Sequence, residues 1–263
     1  SSMIVNTIAV SLSTAAFPAM SLAFSRHDKK DFEKKFIGAV SQMFFLIIPL
    51  SILLFILRAQ IVRIVLGSGK FGWVDTRLTA ACLGVFALGL VGQGLVFMLS
   101  KTLYAAHNTK VPAIVSAVTV VFNIGVSLLF VKILSSSGLF TNSIRLVLSL
   151  AGVENISVVG LALGFAVTAI LEALLLLVLI YRILKVFRLI LVFASLYKIL
   201  LSSLVMLWVV FLARQVPVEL GFINLQSFFG VFFQLAFAAT LGLLSYIGMA
   251  FMLKSPELEM IKK

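Results

Sequence analysis

The chain has 263 residues, 62% of them hydrophobic and 11% charged, with a mean hydropathy of +1.21. A soluble domain is about half apolar and a quarter charged, so this balance excludes an ordinary water-soluble fold and points to a polytopic membrane protein. The net charge of +12 does not point to nucleic acid, because Lys and Arg sit in short connections between apolar runs and no separate basic domain exists.

Hydrocarbon accepts only helices or closed barrels, whose backbone groups are satisfied internally. The apolar runs here reach about 20 residues and lack period-two alternation, so an all-α helical membrane protein is expected. Seven spans are read, at residues 3–24, 36–57, 78–106, 111–134, 158–183, 193–213 and 228–253.

In chain order, the start at Ser1-Ser2-Met3 enters an apolar run at once. It has no basic leader and no small-residue cleavage site, so it reads as the interior of a longer protein. Between spans one and two, Asp31 to Phe36 suits a short interfacial helix. Gly67 to Asp75 reads as a charged, Gly-rich hairpin before span three, and His107 to Lys110 as a polar turn after it. Segment 135–157 is the longest connection on its side, and its apolar middle, 144–150, is expected on the membrane surface. Segment 214–226, with Pro217 and Gly221, reads as a short turn.

Counting Lys and Arg by side gives fourteen with the first connection and the C-terminus, against seven opposite. The positive-inside rule then places the C-terminus in the cytoplasm and the N-terminal end outside. Cys82 is the single cysteine, so no intrachain disulfide can form. His27 and His107 lack metal-ligand spacing and a partner carboxylate pair. Segment 67–72 is no phosphate loop, since no Gly-Lys-Ser/Thr leads into a helix. No enzyme is expected.

Polar groups inside spans are candidates for function by default. Ser116, Thr119, Asn123 and Ser127 follow one another at helical spacing on one face of span four. They either wall a transport cavity or bond between helices, as Ser, Thr and Asn commonly do. Gly160, Gly164, Thr168 and Glu172 recur every fourth residue on span five. The glycines allow close helix approach, and Glu172 is the one acid deep in any span: a coupling residue, or a carboxyl bonded to a neighbour. Lys101, near the end of span three, either meets a substrate phosphate or reaches toward anionic headgroups. Gln93, with Gly89, suits packing or recognition. Phe228, Phe229, Phe232, Phe233 and Phe237 crowd span seven.

Several motifs then occur in one order. They are Ser13 to Ser21 (STAAFPAMS), Pro49, Gln60 to Arg63 (QIVR), Gly69-Lys70-Phe71 with Asp75-Thr76 and Thr79-Ala80, Leu103-Tyr104-Ala105 with Thr109 and Pro112, Asn123, and Gly160 to Leu163. Together they resemble the MurJ/MviN family of lipid II flippases, with Asn108 where the family usually has Asp. The likeness covers most of residues 13–175. It implies that the seven spans correspond to helices eight to fourteen of a fourteen-helix transporter of the MOP superfamily. Residues 1–185 would be a partial C-terminal lobe, 186–263 two additional helices, and the N-terminal lobe would lie outside this sequence.

The resemblance further implies a multi-pass protein of the bacterial cytoplasmic (inner) membrane. It would move lipid II, or a similar polyprenyl-pyrophosphate lipid, to the outer leaflet by alternating access, serving peptidoglycan and cell wall biogenesis. No cofactor is implied; coupling to Na+, H+ or the membrane potential stays open. Its partners are the lipid substrate, membrane lipids and the missing lobe. Asn123, Glu172, Ser127, Thr119, Lys101 and Gln93 become candidates for the substrate or ion pathway. Some family members hold sodium with an Asn and an acid one turn later, where this chain has Ser127. Phe229, Phe233 and Phe237 become candidates for a lipid-tail groove. Arginines that grip the headgroup would fall before Ser1. Alternatives left open are another polyprenyl-linked oligosaccharide, a drug, or a non-transporting interaction role.

Overall fold

A computed structural model describes residues 2–66, 72–136, 138–150, 152–153, 155–184, 189–219 and 227–261. The helices are α1 (Ser2–Ser25), α2 (Lys29–Ile56), α3 (Arg58–Leu66), α4 (Trp73–Ala105), α5 (Lys110–Ser135), α6 (Leu139–Leu148), α7 (Val159–Leu184), α8 (Leu189–Glu219), α9 (Phe228–Met252) and α10 (Pro256–Ile261). Among the described residues there is no strand. Seven helices are long and apolar enough to cross a membrane, and they are the seven expected spans.

The connections differ from expectation in ways the local chemistry explains. Asp31 to Phe36 is not a separate interfacial helix; it is the opening of α2, which runs unbroken to Ile56. The Asp28 carboxylate accepts the Asp31 N–H at 3.0 Å and so starts the helix three residues before Phe32. Trp73 to Asp75, expected within the hairpin, instead form the first turn of α4, with the Asp75 carboxylate accepting the Gly72 N–H. Residues 67–71, with the Gly69-Lys70-Phe71 motif, lie outside the described residues. Segment 214–219 continues α8 rather than turning, and 220–226 lie outside the described residues. In segment 135–157, α6 exposes Leu146 and Val147, but Leu148 and Leu150 are buried against α4 and α7 rather than lying on the surface.

Two connections share one turn. His27 and His107 both adopt left-handed backbone, at φ 56° and 58°. The next residue's N–H closes back on the preceding helix, Asp28 to Ala23 O at 3.1 Å and Asn108 to Leu103 O at 2.9 Å, as in a Schellman motif. Asp28 and Asn108 then cap the following helix, Asn108 by accepting the Val111 N–H at 3.2 Å.

α4 lies at the centre, packed on α1, α2, α3 and α7, while α5 packs on the far side of α7. The α8–α9 pair joins from the other side, chiefly through α8 on α2. Hydrocarbon gives no hydrophobic drive between helices, so close backbone approach carries the packing. A Cβ at Gly92 would come within 2.8 Å of Ala169 and Ile170 backbone, and one at Gly164 within 2.7 Å of Ser127 Cα.

Polar ties fix the α8–α9 pair. The buried Tyr246 hydroxyl donates to Phe45 O at 2.8 Å. Gln60 Nε2 donates to Gln234 Oε1 at 3.3 Å, and Gln234 Nε2 to Arg214 O at 2.7 Å. Arg58 and Arg214 donate to Phe55 O and Ile56 O, at 2.9 and 3.2 Å. Two guanidinium groups thus cap the last carbonyls of α2. Burial, then the nearby Arg214 charge, lowers the Arg58 pKa from its ordinary value.

Candidate substrate and ion pathway

The polar residues expected in the spans fall into separate places. The first group lies between α5 and α7. Gly160 and Gly164 let the two backbones meet, Gly160 against Phe130 and Val131, Gly164 against Ser127. Higher along the same contact, the Ser116 hydroxyl donates to Glu172 Oε1 at 2.8 Å. Glu172 is half-buried at the middle of α7.

The rest of the α5 stripe is less uniform than its spacing suggests. Thr119 is buried, and its hydroxyl donates to Val115 O at 2.9 Å and Ser116 O at 3.1 Å, both on its own helix. Ser127 is buried against Gly164. Asn123 is half-buried between them. The Thr168 hydroxyl likewise returns to its own helix, donating to Gly164 O at 2.7 Å. The stripe therefore combines one cross-helix hydrogen bond, one tight backbone contact and hydroxyls satisfied locally. Among the described residues no group of three or more His, Cys, Asp or Glu side chains could hold a metal ion.

Gln93 and Lys101 form a second group, two turns apart on α4 and both half-buried. Lys101 Nζ lies 5.7 Å from the centre of the Phe17 ring on α1, within reach of a cation–π attraction. Its charge is directed to the α1–α4 contact.

The phenylalanines of α9 form neither group. Phe229 is 81% exposed and Phe233 59%. Phe233 stacks on Phe237 with centroids 6.0 Å apart, and Phe228 on Phe232 at 6.5 Å. An apolar cavity of about 400 Å³ lies elsewhere, between α2, α4, α7 and α8, lined by Phe36, Phe44, Leu95, Leu99, Leu174 and Leu196 among others. The sequence held no mark for these residues, because each is an ordinary apolar residue within its span.

Residues 2–144 match the family model described as "Lipid II flippase MurJ". The chain is similar to a probable lipid II flippase MurJ of Bdellovibrio bacteriovorus, 26% identical over 137 residues, covering 52% of this chain and 26% of that protein. It is also similar to the lipid II flippase MurJ of Thermosipho africanus, 30% identical over 122 residues, covering 46% of this chain and 25% of that protein. A solved structure, titled "Lipid II flippase MurJ, inward closed conformation", matches the fold with a TM-score of 0.68 at 24% identity, over 95% of this chain and 44% of that one. The matched part spans about a quarter of the length of these relatives and under half of the solved structure. The family model covers more than half of the chain, in a bundle of the same fold: the chain belongs to the MurJ lipid II flippase family.

Proposed function

We propose that this chain forms the C-terminal part of a transporter that flips lipid-linked peptidoglycan precursor across the bacterial cytoplasmic membrane. The family match over residues 2–144 carries this reading. Residues 1–185 serve as part of one lobe and 186–263 as two appended helices, with a second lobe completing the cavity. Alternating access proceeds by rocking one bundle against the other around a site near the bilayer midplane. The work is transport, not bond chemistry.

In this reading Glu172 is the coupling group for H+ or Na+. It is the acid at the middle of a span, and Ser116 orients it through one hydrogen bond. A carboxyl in this setting changes its partners when it gains or loses charge, which suits a group that reports on access. Asn123, about two turns along the same face of α5 as Ser116, supplies an amide to the same pathway. The lysine-rich end of the bundle, with the C-terminus, faces the cytoplasm.

The test is competition. Lipid II labelled in proteoliposomes containing the whole transporter should be protected from flipping by excess unlabelled lipid II, and not by a polyprenyl-linked polysaccharide unit or a cationic drug. Competition by either of those instead would replace the substrate, and binding of lipid II without movement would favour the non-transporting role.

A further inference from the structure

At the end of the bundle opposite the lysine-rich one, two arginines meet. Arg58 opens α3, just after the C-cap of α2, and Arg214 lies near the end of α8. Both are half-buried. Arg58 Nη1 donates to Phe55 O at 2.9 Å and its Nη2 makes a long bond to Val147 O at 3.5 Å. Arg214 Nη1 donates to Ile56 O, the next carbonyl of α2, at 3.2 Å. The two charges are close enough to act on each other. Among the described residues neither guanidinium is paired with a carboxylate.

Both side chains are held in place. The Arg58 stem passes over Gly84, where a Cβ would come within 2.7 Å of its Cδ, and its guanidinium lies 4.6 Å from the centre of the Phe55 ring. Arg214 is fixed through its backbone, whose carbonyl accepts the Gln234 amide at 2.7 Å. A guanidinium carries five N–H donors, and these bonds use two from Arg58 and one from Arg214. The nitrogens left without a partner, Arg58 Nε and Arg214 Nε and Nη2, all reach the surface. Two like charges, partly removed from water and with donors to spare, are stabilised by an anion that accepts from both.

The surroundings say what kind of anion. The membrane-length stretches of α2 and α8 stop beside this pair, at Ile56 and Gln215, so the guanidinium groups lie at the level of lipid headgroups. Next to them α6 turns an apolar face outward: Leu146 is 82% exposed and Val147 65%, and Val147 O is the atom that Arg58 reaches. A pair of anion-binding groups beside exposed apolar side chains fits a molecule with both an anionic and an apolar part. The fork of N–H donors on each arginine matches phosphate oxygens. We infer that this corner binds a phospholipid, its phosphate accepting from Arg58 and Arg214 and an acyl chain lying against Leu146 and Val147. A lipid held there ties α8 to the C-terminal ends of α2 and α6. The inference does not depend on which substrate is transported.

The test uses the delipidated polypeptide that carries this chain, in detergent, and needs no variant in its first arm. Phenylglyoxal attacks free guanidinium groups, and the modified positions are mapped by mass. Phosphatidylglycerol should slow modification of Arg58 and Arg214 about fivefold or more, and diacylglycerol with the same acyl chains, which lacks the phosphate, should not. Equal modification with and without phosphatidylglycerol would overturn the inference. Protection by inorganic phosphate but not by the lipid would make this a site for free phosphate and overturn the lipid assignment. In the second arm, native mass spectrometry counts retained phosphatidylglycerol. Arg58→Gln and Arg214→Gln should each weaken one bound lipid about fivefold or more relative to Lys110→Gln, which removes one positive charge at the other end of the bundle. Equal loss in all three variants would make the effect one of net charge and contradict a site at this corner.

Discussion

Glu172 accepts the Ser116 hydroxyl across the α5–α7 contact, and this pair separates function from stability. Glu172→Gln keeps the volume and an acceptor oxygen, so unfolding in detergent should shift little, while transport by the complete protein should fall at least about tenfold, a difference of about 1.4 kcal/mol in barrier. Ser116→Ala removes only an interhelical hydrogen bond, for which about 0.6 kcal/mol of stability is expected, read from the unfolding midpoint. Asn123→Ala should lower transport without loss of expression. Normal flipping in both Glu172→Gln and Asn123→Ala would remove them from the pathway. Glu172 was legible in the sequence because a charge stands out in an apolar run. Its partner was not, because nothing in either helix alone sets residue 116 beside residue 172. Lys101 shows the same limit: spacing placed it near a helix end, but only the fold brings it to Phe17.

Backbone approach sets the strength of contact between elements, and glycine sets the approach. Gly164→Val should push α5 off α7, because the new side chain meets Ser127 backbone at 2.7 Å or less. Overpacking of this kind destabilises by about 1–3 kcal/mol, readable as an earlier thermal transition, whereas Gly125→Ala on the open side of α5 meets nothing within 4 Å. An unchanged transition in Gly164→Val would show that the helices are not pinned there. Asp28→Ala should cost about 1 kcal/mol through the lost cap of α2. The spans were legible because hydrocarbon thickness demands long apolar runs. α3 and α10 were not, with nine and six residues, too short for hydropathy or periodicity to mark. The repeated His-Asx turn was present in the letters at 27–28 and 107–108, but a left-handed histidine has no signal of its own until the helix ends are seen.

For the whole molecule, the number of spans and the family were both legible, the first from the length of the apolar runs and the second from several motifs in one order. How the helices divide around a pathway was not, since exposure of the α9 phenylalanines and the place of the apolar cavity depend on packing between distant spans. Orientation can be tested directly. On a Cys82→Ser background, Asn142→Cys on α6 should react with an impermeant maleimide in intact cells, and Lys34→Cys at the start of α2 only after permeabilisation; the reverse pattern would invert the topology. The most direct test of the function is lipid II translocation in proteoliposomes holding the polypeptide that carries this chain, unaltered or with Glu172→Gln. The expected result is movement of lipid II between leaflets, slowed at least about tenfold by the substitution. Lipid II that stays in its original leaflet with the unaltered protein would contradict a flippase role for this chain.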